Sequence, residues 1–258
     1  MPRELVKAVV GNIECVSDLS EEEEALLNEI KPQHQGFKEG SVIFREGEPS
    51  NHFLLVKAGI CYNHRHLEDG RRQIIDLFFP GEVVALGELS CVVHASGLTA
   101  YSDCDLLAYD KAVVKDRLSG SPTLSRLFIE LISKEQVNLT NRLVGAARHS
   151  ARQRVAHFLV EVQYRYRRGE AHTSPPMAQA AGAETRPAPK CVPLVGIPQI
   201  LIADALGLSV VHVNRVFRQF RDEGLIRRDG QGGELADLEG LKIAAGWLPS
   251  GSEAELIL

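Results

Sequence analysis

The twenty residues Gln199-Ile-Leu-Ile-Ala-Asp-Ala-Leu-Gly-Leu-Ser-Val-Val-His-Val-Asn-Arg-Val-Phe-Arg218 constrain the fold more than any other part of the chain. Apolar side chains at Ile202, Leu206, Leu208, Val213 and Val216 fall where two short, steeply crossing helices must bury a shared seam. Ala203 is small where such helices approach, and Gly207 stands at the turn, where a residue without Cβ takes positive φ at little cost. Ser209 is placed to cap the second helix. The spacing therefore predicts a helix-turn-helix. At about 100° per residue, the second helix puts Val213, Val216, Phe217 and Phe220 on one side. Val211, Arg215, Arg218 and Asp222 fall on the other, with His212 on the flank. The first side suits a core and the second a major groove, so Ser209, Val211, His212, Arg215 and Arg218 are the candidate DNA-contacting residues. An ordinary helical hairpin with surface arginines is the plainer alternative.

Charge supports a polyanionic partner for only part of the chain. The formal net charge of −5 hides a partition: residues 1–110 carry 9 basic and 19 acidic side chains, residues 111–230 carry 19 and 10, and residues 231–258 carry 1 and 5. A nucleic acid would be attracted to the middle portion and repelled by the first. Residues 142–168 hold seven arginines against one glutamate; a solvated helix face is one reading of such a run, and its place just upstream of the predicted motif favours a phosphate-contacting role.

Upstream, Ser20-Glu-Glu-Glu23 reads as a capping box before Ala25, Leu26, Leu27 and Ile30 at helical spacing. From about 36 to 110 short apolar runs (41–44, 53–56, 73–78, 106–109) are bounded by Gly40, Gly47, Gly59, Gly70 and Gly81. Such punctuation suits consecutive strands of an all-β roll, with Asp69-Gly70 as a hairpin turn. Helical spacing returns at Leu124, Phe128, Leu131 and Ile132, then Leu139, Leu143 and Ala146, a helix long enough to be a dimer seam in which Asn138 would set register, the plainer alternative being a single helix lying on its own β-domain. A second helix is expected from about 150 to 166, burying Val155, Phe158, Leu159 and Val162. Residues 171–190, rich in Ala, Pro, Gly and Thr, read as a flexible insertion. Residues 225–235 read as two strands around a glycine turn, Asp237 as the cap of a last helix, and the tail from Trp247 as loose. The expected organisation is thus a sensor β-roll domain over 1–120, a dimerisation helix over 121–147, a winged helix-turn-helix domain over 148–246 with the insertion at 171–190, and a tail over 247–258.

No apolar run approaches the roughly 20 residues of a spanning helix, and the Met-Pro-Arg-Glu-Leu-Val-Lys start lacks a signal-peptide core, so no membrane partner and a cytoplasmic location are expected. The five cysteines (Cys15, Cys61, Cys91, Cys104, Cys191) are odd in number, with no C-x-x-C, and support neither a disulfide framework nor a zinc knuckle. Each reads most simply as a reduced thiol, with a redox sensor using one or two of them as the sharper alternative.

A glycine-punctuated β-roll, a long helix and a C-terminal winged helix-turn-helix resemble the Crp/Fnr family of bacterial transcription regulators. The resemblance rests on Gly40-Ser-Val-Ile-Phe-Arg-Glu-Gly47, on Phe79-Pro-Gly-Glu-Val-Val-Ala-Leu-Gly-Glu-Leu89 and on Ala203–Ile226. It implies an α+β fold with a cyclic-nucleotide-binding-like jelly roll, and a homodimer reading two half-sites of a palindromic duplex about 34 Å apart. It also implies RNA polymerase as a partner. An effector pocket would involve Gly87, Glu88, Leu89 and Ser96. Members that bind cyclic AMP follow Gly-Glu-Leu with an Arg-Ser or Arg-Thr pair that holds the phosphate, whereas here no Arg or Lys stands from Ala85 to Tyr101, so cyclic AMP is not expected. The N-terminal cysteine cluster of iron–sulfur members is absent too, Cys15 standing alone. Haem stays open, with His34, His52 and the Cys61/His64 neighbourhood offering ligands but no specific spacing. No other cofactor or metal is indicated. In the recognition helix, Val211 replaces the glutamate that many members use on cytosine, while Arg215 matches a family arginine.

Two readings compete with a DNA-binding regulator. One is a dimeric interaction protein whose motif no longer binds DNA. The other is a cupin-like metal enzyme built on His64-Arg-His66 and Glu68, whose spacing does not match the usual cupin pattern. The expected function remains sequence-specific regulation of transcription, without catalytic chemistry.

Overall fold

The computed structural model describes residues 20–173, 192–228 and 234–246. They form two compact units, one built mainly from residues up to Asn141 and the other mainly from Arg142 onward. The boundary falls inside a long helix, not at either of its ends.

The first unit opens with helix α1 (Glu21–Glu29), whose Leu27, with Ile30 just beyond its end, is buried. The side chains of Glu23 and Leu26, and hence the predicted capping box, lie outside the described residues. Eight strands follow: β1 (Gln33–Phe37), β2 (Val42–Phe44), β3 (His52–Ala58), β4 (Cys61–His66), β5 (Arg72–Phe78), β6 (Val83–Val84), β7 (Gly97–Ala100) and β8 (Cys104–Asp110). They make two four-stranded sheets, β1-β8-β3-β6 and β2-β7-β4-β5. The predicted runs coincide with β2, β3, β5 and β8, and the punctuating glycines sit between strands with φ from 77° to 86°. Gly70 turns β4 into β5, with the Leu67 amide donating to the Arg71 carbonyl at 2.8 Å.

Strands β3 and β8 pair antiparallel, Leu54 opposite Ala108 and Leu55 opposite Leu107, and are buried on both faces. Leu54, Val56, Leu106 and Ala108 point into one core with Phe78, Val84 and Leu98. The alternating residues Phe53, Leu55, Leu107 and Tyr109 point into a second core, shared with helices. Two buried faces explain why these strands read as continuous apolar runs.

Asp110 ends β8 and caps α2 (Lys111–Gly120), its carboxylate accepting from the amides of Ala112 and Val113. Helix α3 (Pro122–Arg148) comes next. Leu124, Leu127, Phe128 and Leu131 lie in the second core, where the Phe128 ring meets Phe53 edge-on at 6.3 Å. Over this part of its length the helix lies on its own β-domain. Leu124, Phe128 and Leu131 already have partners inside their own unit, and Asn138 falls on the same side of the helix by the 3.6-residue period. The apolar side chains that α3 leaves exposed are Ile129, Leu139, Leu143 and Val144.

The second unit contains α4 (Ala151–Thr173), a two-residue strand β9 (Val192–Pro193), α5 (Gln199–Leu206), α6 (Val210–Asp222), β10 (Ile226–Arg228), β11 (Glu234–Ala236) and α7 (Leu238–Ala245). Helix α4 outruns its expected end near 166 because no proline interrupts it before Pro175. The remainder of the expected insertion (174–190), the glycine turn of the wing (229–233) and the tail (247–258) lie outside the described residues. The wing strands pair as predicted, Arg227 opposite Leu235, and Asp237 caps α7. A third strand was not foreseen: β9 pairs with β11 at the sheet edge, where Pro193 needs no ladder amide.

Candidate nucleic-acid interface and effector region

Helices α5 and α6 meet at 112° across a three-residue turn. Gly207 ends α5 at φ 60°, and the Leu208 amide donates back to the Ala203 carbonyl at 3.0 Å. Ala203 is 2 % exposed, so a larger side chain there would push the helices apart. Ser209 caps α6, its hydroxyl accepting from the His212 amide at 3.2 Å. Upstream, the buried Gln163 of α4 accepts from the Val195 amide at 3.1 Å and fixes the chain on its way into α5.

Helix α6 is sharply two-sided. Val213, Val216, Phe217 and Phe220 are buried against the rest of the unit. Val211, His212, Asn214, Arg215 and Arg218 are exposed, Val211 to 71 %. Arg221 belongs to neither group: it lies 5.8 Å over the Phe217 ring and donates to Glu234 of β11 at 2.6 Å, locking helix to wing. Of the first-helix pair Ile200 and Leu201, the second is buried and the first half-exposed.

The arginine-rich segment differs from expectation. Arg142 and Arg165 both pair with Glu161, Arg152 pairs with Glu223 and lies over the Phe220 ring, and burial pulls Arg154 down from its usual pKa. Much of this positive charge is taken up inside the unit, holding α4 to its neighbours. Arg148 and Arg167, with the wing residues Arg227 and Arg228, are exposed.

In the first unit, Gly87-Glu88-Leu89 lies on a 3₁₀ turn (Leu86–Glu88) entered through Ala85, a left-handed residue at φ 62°. The Glu88 carboxylate accepts from His94 Nδ1 at 2.8 Å and from the Ala95 amide at 2.8 Å, with the Ser50 hydroxyl at 3.3 Å. His94 is itself buried and stacks on Phe44 at 3.6 Å between centroids. Lys111, 4 % exposed, donates to the Glu88 carbonyl at 2.7 Å and to Ser50. Burial lowers the Lys111 pKa, against the pull of Glu88. Ser96 is buried nearby in sequence, though no bond joins it to Glu88 among the contacts described. Sequence reasoning had Glu88 but missed Ser50, His94 as its partner, and Lys111, which come from three separate segments. His64, considered above as a metal ligand, is buried with Nε2 on the Thr99 hydroxyl at 2.9 Å, and His66 is exposed. No group of three or more His, Cys, Asp or Glu among the described residues is placed to hold a metal.

Comparison with known proteins agrees with both halves. Residues 34–120 match the cyclic nucleotide-binding domain and residues 153–243 the Crp-like helix-turn-helix domain. The transcriptional activator protein anr of Pseudomonas aeruginosa is 27 % identical over 224 residues, covering 85 % of this chain and 82 % of that one. The nitrogen fixation regulation protein FixK of Bradyrhizobium diazoefficiens is 27 % identical over 190 residues, 74 % of this chain and 72 % of its own. In fold, the chain is similar to FixK2 from Bradyrhizobium japonicum, with a TM-score of 0.67 at 20 % identity over 83 % of this chain and 96 % of that one. A CRP/FNR-family regulator from Thermus thermophilus gives 0.60 at 20 % identity over 83 % and 98 %. No single helix among the described residues is long and apolar enough to cross a membrane. With a cyclic nucleotide-binding fold in its first unit and a winged helix-turn-helix in its second, the chain belongs to the Crp/Fnr family of DNA-binding transcription regulators.

Proposed function

We propose that the protein works in the cytoplasm as a homodimer, reading a pseudo-palindromic duplex through α6 and acting on transcription together with RNA polymerase. The observation that carries the reading is the two-sidedness of α6: the face bearing Val211, His212, Arg215 and Arg218 is exposed, while the opposite face is wholly buried. Arg215 has the reach and fork geometry to pair with guanine O6 and N7, and Val211 offers an apolar contact to a thymine methyl. Ser209, already accepting a cap bond through its oxygen, keeps its O–H to donate to a phosphate at the helix N-terminus. Arg218, one turn further along the same face, and His212 on the flank complete the set. Arg227 and Arg228 on the wing suit backbone contacts.

We assign the seam between subunits to the exposed stripe of α3, Ile129, Leu139 and Leu143, in place of Leu124, Phe128 and Leu131. Positions 129, 136 and 143, with 132, 139 and 146 between them, follow a heptad spacing.

The sensor role belongs to the first unit, and cyclic AMP is not its proposed effector. The Glu88 carboxylate is occupied by the chain's own His94 and Ala95, and the buried cation Lys111 is engaged with Ser50 and the Glu88 carbonyl. A phosphodiester would have to displace these bonds without an arginine to offset the loss. Titration calorimetry with cyclic AMP and cyclic GMP should show no saturable heat; micromolar binding would overturn this part.

Selection of enriched sequences from random duplexes at moderate salt tests the main reading. A two-fold-related motif with half-sites one helical turn apart is expected. Recovery of no preferred sequence would favour a dimeric interaction protein that is silent toward DNA.

A further inference from the structure

Asn214 sits in the body of α6 for no reason that the fold supplies. Asparagine is a weak helix former because its amide competes for backbone groups, and alanine in its place would favour the helix. It caps nothing, since Ser209 is the cap of α6. Its side chain is exposed and makes no hydrogen bond or ion pair with the described residues. Arg221, two turns further on, shows the contrast, its guanidinium held by Glu234 and laid over the Phe217 ring.

The position of Asn214 favours a base edge over a phosphate. At about 100° per residue, Asn214 is turned about 60° from Val211 and about 40° from Arg218, whereas His212 is turned about 100° and about 120° from the same two. His212 thus flanks the exposed side and Asn214 belongs to it, a place that periodicity in the sequence passed over. Helical side chains lean toward the N-terminus, so the Asn214 amide overlies the turn of Val210 and Val211, both exposed. That turn leads a recognition helix into the major groove. Ser209, Val210 and Val211 are all short, so the helix can approach the bases closely enough for the equally short Asn214 to touch them.

Given the DNA-reading role of α6, on which this rests, we propose that Asn214 is a specificity-determining residue that reads one adenine in each half-site. A carboxamide carries an acceptor and a donor side by side. Its oxygen accepts from the adenine N6 amino group and its nitrogen donates to adenine N7. Guanine presents two acceptors along the same edge, so one of the two bonds is lost there and two acceptors are opposed. Arg215, with donors only, takes guanine, so the neighbouring residues select different purines.

The test uses the full chain and the duplex enriched by selection, with binding followed by fluorescence anisotropy. Each adenine of a half-site is replaced in turn by 7-deazaadenine, which keeps the Watson–Crick pair and removes N7. One position should weaken binding by roughly 5-fold or more. Asn214→Ala should bind the unmodified site roughly 5- to 150-fold more weakly, accept other base pairs at that position, and show no further loss from 7-deazaadenine there. The exposed alanine leaves the helix intact, which the circular dichroism melt verifies. His212→Ala should weaken binding without changing the preferred base. A half-site without an A·T pair, additive losses from Asn214→Ala and 7-deazaadenine, equal losses on selected and random duplexes, or loss of the adenine preference in His212→Ala instead would each overturn the assignment while leaving α6 a DNA-reading helix. Recovery of no enriched sequence at all would remove that role, and the adenine contact with it.

Discussion

Leu131 and Leu143 lie on one helix and differ in what covers them, so paired substitutions separate folding from association. Leu131 is 8 % exposed inside the second core of the β-unit, whereas Leu143 is 70 % exposed in the single chain. Leu131→Ala removes packed atoms from a core and should cost about 2–5 kcal/mol of folding stability, seen as a lower melting temperature. Below that temperature the protein should remain a dimer. Leu143→Asp removes nothing that the isolated chain has buried, so its effect on folding should stay within about 0.5 kcal/mol. If α3 packs against its symmetry mate, each chain loses about 2 kcal/mol of leucine burial and the dimer loses about twice that. That corresponds to a rise in dimer Kd of roughly 10³-fold. Sedimentation equilibrium over a wide concentration range reads the Kd, and calorimetry reads the melt. An unchanged Kd for Leu143→Asp, or folded monomers from Leu131→Ala, would refute the assignment of the seam to the exposed stripe.

Arg215→Ala should cost about 1–3 kcal/mol on the selected site and relax preference at one base pair; equal losses on selected and random duplexes in a gel-shift series would make it a phosphate contact instead. Gly59→Ala should destabilise by at least about 2 kcal/mol, because φ is 85° and the new Cβ would sit 2.2 Å from the Asp103 carbonyl oxygen. Gly70→Ala, also left-handed but with open space around it, should cost only about 1–2 kcal/mol; similar denaturant midpoints for the two would contradict the steric argument. Burial lowers the His157 pKa, so the folded state takes up its proton less readily than the unfolded chain. This contribution to stability is whole above the unfolded value of about 6.5 and falls as pH drops below it. His157→Gln should therefore flatten the stability curve between pH about 6.5 and 5, and an unaltered slope would assign the acid sensitivity elsewhere.

The parts legible in the sequence are those in which a residue's neighbours in space are also its neighbours along the chain. The faces of α6, the Gly207 turn and the Ser209 cap depend on contacts within about a dozen residues, and each stands where periodicity put it. Strands β3 and β8 were legible for another reason: buried on both faces, they spell uninterrupted apolar runs. Edge strands carry no such mark. Gln33-His-Gln-Gly-Phe37 is largely exposed and becomes a strand because β8 offers it a ladder. Helix α3 shows a different limit. It carries two apolar stripes, and periodicity finds both without saying that the β-unit takes Leu124, Leu127, Phe128 and Leu131 while Leu139 and Leu143 stay uncovered.

The same limit explains the effector region. Glu88 was recognisable from Gly-Glu-Leu, but its environment is made by Ser50, His94 and Lys111, contributed by a loop before β3, a loop before β7 and the start of α2. A missing arginine could be read from the sequence; the carboxylate's substitute partners could not. What local pattern supplies is a list of reactive groups, and what the fold adds is which of them share a proton. In this chain that addition removes Glu88 from the groups free to greet a nucleotide.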